Sequence, residues 1–174
     1  MSKLSQFEQL AKDMVLGNST DHFDLLLNTY NLKDYFARYL EIEDSYKRMS
    51  NVMQRLPSVY HSVTHTCLVM LNTAEGCWHG GIDYTQTRIA LVAALFHDCC
   101  HSNGWEVYDH FNISAAVSAL ARSSEVSFEG RLSDEDLAKA HNIILGTEFP
   151  QPTSSYIKKE MKPLIEIVRL AGIM

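Results

Sequence analysis

At 174 residues, with 46% hydrophobic and 21% charged side chains, the chain is long enough for one domain with a sizeable core and too short for two. Its formal charge of -6 argues against a binder of nucleic-acid polymers or anionic membranes, which need clustered Lys and Arg; a small phosphate ester stays open, since a metal ion can supply the positive field. Met1–Glu8 does not read as a signal peptide and no apolar run approaches the roughly 18 residues of a membrane span, so the expectation is a cytoplasmic protein with no membrane partner.

In chain order, Ser2 to Leu16 reads as an amphipathic helix with Leu4, Phe7, Leu10, Ala11 and Met14 on one face and Gly17 as its stop. Asn18 to Asp21 supplies cap residues for a helix through Leu25, Leu26 and Leu27. A longer helix follows from about Leu32 to Met49, with Tyr35, Phe36, Tyr39 and Leu40 as its packed side. Pro57-Ser58 then opens a helix bearing His61 and His65 on one face, weakened at Gly76 and ended by Gly80-Gly81.

Asp83 and Gln86 form a capping-box pattern for the next helix, which we expect to run through the apolar stripe Ile89, Val92, Ala93, Phe96 and His97 until Ser102-Asn103-Gly104 breaks it. On that helix Asp98 would sit about 100° round from His97. Three more helices are expected: Tyr108 to Arg122, Ser133 to Gly146, and Pro163 to Ala171 after the loop that Pro150 and Pro152 impose. No alternating strand pattern occurs, so the fold expected is all-α, a compact bundle of about seven or eight helices, with 1–57 as N-terminal helices packed on a motif-bearing core, 58–174. The four cysteines, Cys67, Cys77, Cys99 and Cys100, make no Cys-x-x-Cys pair and read as reduced, mostly buried thiols.

The segments Tyr60-His61-Ser62-Val63-Thr64-His65 and Phe96-His97-Asp98-Cys99-Cys100-His101 together resemble the HD-domain superfamily of metal-dependent phosphohydrolases. They are similar to signature stretches of cyclic-nucleotide phosphodiesterases, one branch of that superfamily. They look still more like small bacterial and phage-type HD proteins that share the Tyr-His-x-x-x-His opening and an Asp-x-x-Asn-like step, here Asp109 to Asn112. The likeness spans about Ser58 to the end.

The resemblance implies His65, His97 and Asp98 as ligands of a divalent ion, Zn, Mn, Fe, Mg or Ni, which activates water against a small phosphate ester such as a nucleotide. Asp98 would also bridge to a second, more hydrated ion in a two-metal version of the site. It further implies His61 as the proton donor to the leaving oxygen, with a water-orienting role as the rival reading. His101 is expected beside the metal ligands or on a second-metal water, and His141 as a pocket residue of unassigned role; a satisfied core or surface position is the alternative for both. For His22, His79 and His110 the bland reading stands. Glu148 reads as a solvated loop carboxylate, with a place at the pocket mouth as the alternative, and Arg38, Arg55 and Arg88 are the arginines of a type that grips phosphate.

The chain departs from the resemblance at its last ligand. Where those proteins carry Arg-Leu-Ala-Asp, this chain has Arg169-Leu170-Ala171-Gly172 and stops at Met174, which raises the expectation of a further C-terminal portion. A misplaced alignment, a substitute carboxylate, a water in the vacancy and a partly lost site all remain open; Glu166, six residues earlier, faces elsewhere on a regular helix. Two alternatives to the hydrolase therefore stand, an HD-fold binding or regulatory module and an HD-type di-iron oxygenase. Whether the chain forms a homo-oligomer is left open.

Overall fold

The computed structural model describes residues 21–52, 63–101, 109–149, 152 and 155–173. The expected helix from Ser2 to Leu16, the Ser58 cap, His61 and Arg55 lie outside them. The described residues form seven α-helices and no strand: α1 (Asp21–Thr29), α2 (Lys33–Val52), α3 (Val63–His79), α4 (Tyr84–Phe96), α5 (Asp109–Ser123), α6 (Asp134–Gly146) and α7 (Lys162–Ile173), the last led in by a 3-10 turn at Lys159–Met161. The protein is all-α, as its helical spacing predicts. Among the described residues no helix is long and apolar enough to cross a membrane.

Helix α4 is the centre. Thr87 and every residue from Ile89 to Phe96 are buried, and a helix apolar on all sides must be surrounded by others. It packs against α2, α3, α5, α6 and α7. Phe96 closes its C-terminal end, meeting the rings of Tyr35 and Tyr39 edge-on at centroid distances of 6.1 and 5.9 Å. The one charged residue within this stretch, Arg88, is structural. Its guanidinium donates to the carbonyls of Tyr30 at 2.7 Å and Gly130 at 2.5 Å, binding the α1–α2 turn to the loop before α6. That loop passes so close that a Cβ at Gly130, where φ is +85°, would lie 2.5 Å from the Asn31 carbonyl oxygen.

The caps on α4 and α6 follow the sequence pattern. Asp83 accepts the Gln86 N–H at 2.8 Å and Ser133 accepts the Asp136 N–H at 3.2 Å, each satisfying one of the orphan donors of a helix start. Helix α3 runs through Gly76 rather than yielding there, because the missing side chain lets α7 approach; a Cβ at 76 would be 2.9 Å from Ile167 Cγ2. One position expected on the packed side faces outward instead, Leu40 on α2, since Tyr35 and Tyr39 occupy the buried face of that helix.

The largest correction concerns the end of α4. The helix stops at Phe96, with His97 as its C-cap, and does not continue through the His-Asp pair. A carboxylate from far away in the chain holds the turn that follows. The Cys100 N–H, which a regular helix would direct to the Phe96 carbonyl, donates instead to Glu43 Oε1 on α2 at 2.5 Å. Cys100 takes a left-handed backbone, φ +62°, of the kind that terminates helices. Residues 97–101 therefore form a tight turn, closed by Cys99 N–H to Phe96 O at 2.9 Å and His101 N–H to Asp98 O at 3.3 Å.

Candidate metal centre

His65 stands in the first turn of α3, and His97 and Asp98 in the turn that ends α4. The packing of α3 on α4 brings them together: Asp98 Oδ2 lies 3.1 Å from His97 Nε2 and 3.9 Å from His65 Nε2. His97 is nearly sealed from solvent, whereas His65 and Asp98 keep a narrow exposed margin. These are the three side chains that the spacing of the two motifs singles out.

The orientation of His97 carries chemical information. Its Nδ1 is 2.6 Å from the Ala94 carbonyl oxygen. A carbonyl can only accept, so Nδ1 must hold a hydrogen and Nε2 is the atom left for the cavity. Nε2 there faces a carboxylate oxygen, another acceptor, and the pair is satisfied by a proton or by a cation. Burial pushes the His97 imidazole down, but Asp98, through charge and hydrogen bond, together with the Ala94 carbonyl and the more distant Asp109, outweighs it, and the net shift is upward from the usual histidine range. Donors that share a Zn-like ion with bonds of about 2.0–2.2 Å stand roughly 3–4 Å apart; both contacts to Asp98 fall in that range, but the three donor atoms do not all lie within 4.8 Å of one another, so the two imidazoles must close in for one ion to take all three.

The three donors line a cavity of about 500 Å³, within the ordinary range for small-molecule sites. Its other walls come from the turn, from the N-terminus of α5, from the segment after α6 and from α7, and include His101, Asp109, Thr147, Arg169 and Gly172. His101 thus belongs to the cavity, with Nε2 3.9 Å from Asp109 Oδ1. Asp109 is held in turn by two donors, the Asn112 side-chain amide at 3.3 Å and the Phe149 N–H at 2.6 Å. The Asp-x-x-Asn step is therefore an internal brace that presents a second carboxylate to the cavity.

Several residues stand elsewhere than expected. His141 is half-buried on α6 and does not line the cavity; burial alone pushes its imidazole down. Glu148 is no solvated loop carboxylate but is 4% exposed, and its carbonyl accepts from Arg169 Nη1 at 2.8 Å. Arg169 also donates to the Gly146 carbonyl at 2.9 Å, which fixes the only arginine among the cavity-lining residues. Arg88 serves the fold, and Arg38 lies over the Phe128 ring at 5.3 Å. Glu166 does border the cavity, from an exposed position on α7. His79, exposed, pairs loosely with Glu75 at 3.8 Å, and the His110 ring lies 4.1 Å from that of Phe111 on the surface of α5.

Gly172 occupies the informative position. The Asn72 side-chain amide, donating to the Ala171 carbonyl at 3.4 Å, helps hold the end of α7 against α3. A Cβ built on Gly172 would stand 4.0 Å from His97 Nε2. A side chain at 172 would therefore enter the histidine–aspartate cluster. Comparison with known proteins finds no family model, no curated protein and no solved structure that matches the chain.

Proposed function

We propose that the protein is a metal-dependent hydrolase of a small phosphate ester, a nucleotide being the expected class, with His65, His97 and Asp98 holding the ion. The observation that carries this reading is the convergence of two imidazoles and one carboxylate on one wall of an open cavity. A divalent ion held there supplies a Lewis acid, lowers the pKa of its water toward neutrality and neutralises charge on a phosphoryl group.

The chain's own residues do the rest. The Ala94 carbonyl fixes the tautomer and ring plane of His97. Arg169, anchored by two backbone carbonyls, presents positive charge to an anionic substrate in a cavity that otherwise carries Asp98, Asp109 and Glu166. Asp109, 3.9 Å from His101 Nε2, forms with it a second pair on the cavity wall, placed to orient water or a second ion. His61 remains the proposed donor to the leaving oxygen, on the resemblance stated above. The resemblance with HD phosphohydrolases gains support from Gly172, because a side chain at that position would point to where those proteins carry their last carboxylate.

The test is a screen of phosphomonoesters and cyclic nucleotides with added Zn2+, Mn2+, Fe2+, Mg2+ or Ni2+. Turnover is expected from the unaltered protein and not from the His97→Ala, Asp98→Ala double variant; equal rates in the two would overturn the reading.

Gly172 favours one alternative, a binding or regulatory module that keeps the cavity and has given up turnover. Gly172→Asp separates the two. In a hydrolase it tightens metal binding about tenfold and changes an existing rate; in a module it creates turnover where there was none. A di-iron oxygenase fares worse, since His141 stands outside the cavity and, among the described residues, only His101 is left to extend the histidine set.

A further inference from the structure

The same turn has a second side. Behind His97 and Asp98, Cys99 and Cys100 face away from the cavity toward α2, where Glu43 meets them. All three side chains are buried, and one carboxylate oxygen and the two sulfurs lie within 4.8 Å of one another. The sulfurs are 3.8 Å apart. Two thiolates bound to one tetrahedral Zn-like ion at about 2.3 Å stand about 3.8 Å apart, so the spacing is that of a bound pair before any ion arrives.

Consecutive side chains on a helix diverge by about 100°, and both sulfurs face one point here because Cys100 leaves the helical conformation. A non-glycine residue at φ +62° costs about 1 kcal/mol or more and needs surrounding contacts to hold it. Glu43 provides that hold by accepting the Cys100 N–H. A carboxylate has two oxygens, so accepting that bond leaves it able to ligate. Cys67 and Cys77 belong to no such group of donors among the described residues; burial pushes their thiols up to about 12 and about 11, and raises that of Cys99 as well.

We propose that Glu43, Cys99 and Cys100 form a second, buried site for a thiophilic divalent cation of the Zn2+ class, bound by two thiolates and one carboxylate with a fourth position for water. Binding displaces the two Sγ protons to solvent and involves no change of oxidation state. The carboxylate and two thiolates exceed the charge of the ion by one. The positive charge of Arg122, which favours the Cys100 thiolate, offsets that excess in a place where unbalanced charge is costly. Sulfur and buried carboxylate select Zn2+ or Cd2+ over Mg2+ and Ca2+, whereas the cavity side offers nitrogen and oxygen only, so the two sites differ in the ions they prefer.

Cd2+ is the probe. Titrated into the full chain, it is expected to raise an ultraviolet sulfur-to-cadmium charge-transfer band that saturates at one ion per chain, with release of two protons per ion and a 113Cd resonance in the range of mixed sulfur and oxygen ligation. Cys100→Ser should halve the band per bound ion, Glu43→Gln should keep the band and weaken binding by more than about tenfold, and Cys67→Ala should change nothing. His65→Ala with His97→Ala should leave the band intact, which separates this site from the proposed hydrolase centre. A 113Cd resonance of nitrogen and oxygen ligation only, or a band unchanged by Cys100→Ser, would overturn the proposal. The resonance is read on the unaltered protein and decides the matter even if the variants fail to fold.

Discussion

The turn from His97 to His101 carries opposite chemistries on its two sides. On one, His97 and Asp98 meet His65 at the wall of an open cavity; on the other, Cys99 and Cys100 meet Glu43 in the interior. Nitrogen and oxygen donors stand where a substrate can reach, and soft sulfur donors stand in the interior, out of a substrate's reach. One short segment can serve both sides because its backbone leaves the helix after Phe96, sending successive side chains to different faces of the core. The lesson is that five consecutive residues define two environments only through partners that reach them from α2 and α3.

The strongest way to break the comparison is to disable the cavity side alone. The His97→Ala, Asp98→Ala double variant should lose turnover of phosphate esters by about 10³-fold or more, the scale at which removing charge-stabilising groups is felt, and should keep the cadmium–thiolate band. Loss of both together would show that the sides are one site.

A substitution beneath the turn should strike both sides equally. Phe96→Ala empties a fully buried ring position between Tyr35 and Tyr39 and is expected to cost about 3–5 kcal/mol in urea unfolding, with metal stoichiometry falling at both sites as the fold loosens. Tyr39→Phe is gentler. It removes the hydroxyl that donates to Thr66 Oγ1 at 3.1 Å and should cost about 0.5–1.5 kcal/mol, read from the unfolding midpoint, by leaving a buried hydroxyl without its donor.

The smallest effect lies away from the turn and serves as a control. Burial holds the His141 imidazole below its ordinary range, so between the two values the unfolded chain binds more protons than the folded one. Its contribution is present above the unfolded pKa of about 6.5 and is lost as pH falls toward the depressed folded value. His141→Gln should flatten this acid-side loss in a comparison of unfolding curves at several pH values. An unchanged slope would mean that His141 is not neutral inside the fold.

What could be read from the sequence followed from how local each cause is. The start of α4 was legible because Asp83 and Gln86 are three residues apart and the Asp83 carboxylate accepts the Gln86 N–H locally. Its stop was not, because the group that holds the turn after the helix is Glu43, 57 residues before the amide it captures. The same reasoning explains Arg169. Nothing in its neighbours distinguishes it from Arg38 or Arg88, and only the packing of α7 beside the segment after α6 makes it the arginine of the cavity. Glu148 misled for a related cause: a Gly-Thr-Glu run before prolines reads as surface loop, yet the chain folds back and buries it. His65, His97 and Asp98 were legible together because chemistry-bearing side chains interrupt otherwise apolar segments.

The capture of the Cys100 amide by Glu43 has a consequence for any shortened form of this protein. A fragment beginning at Val63 would retain every proposed ligand of the cavity but none of α2. Without that carboxylate the Cys100 N–H would regain its ordinary acceptor one turn back, and α4 could wind on by another turn. The left-handed conformation of Cys100 would lose the carboxylate that holds it, and the turn that sets His97 and Asp98 beside His65 would lose its anchor although each of those donors was still present.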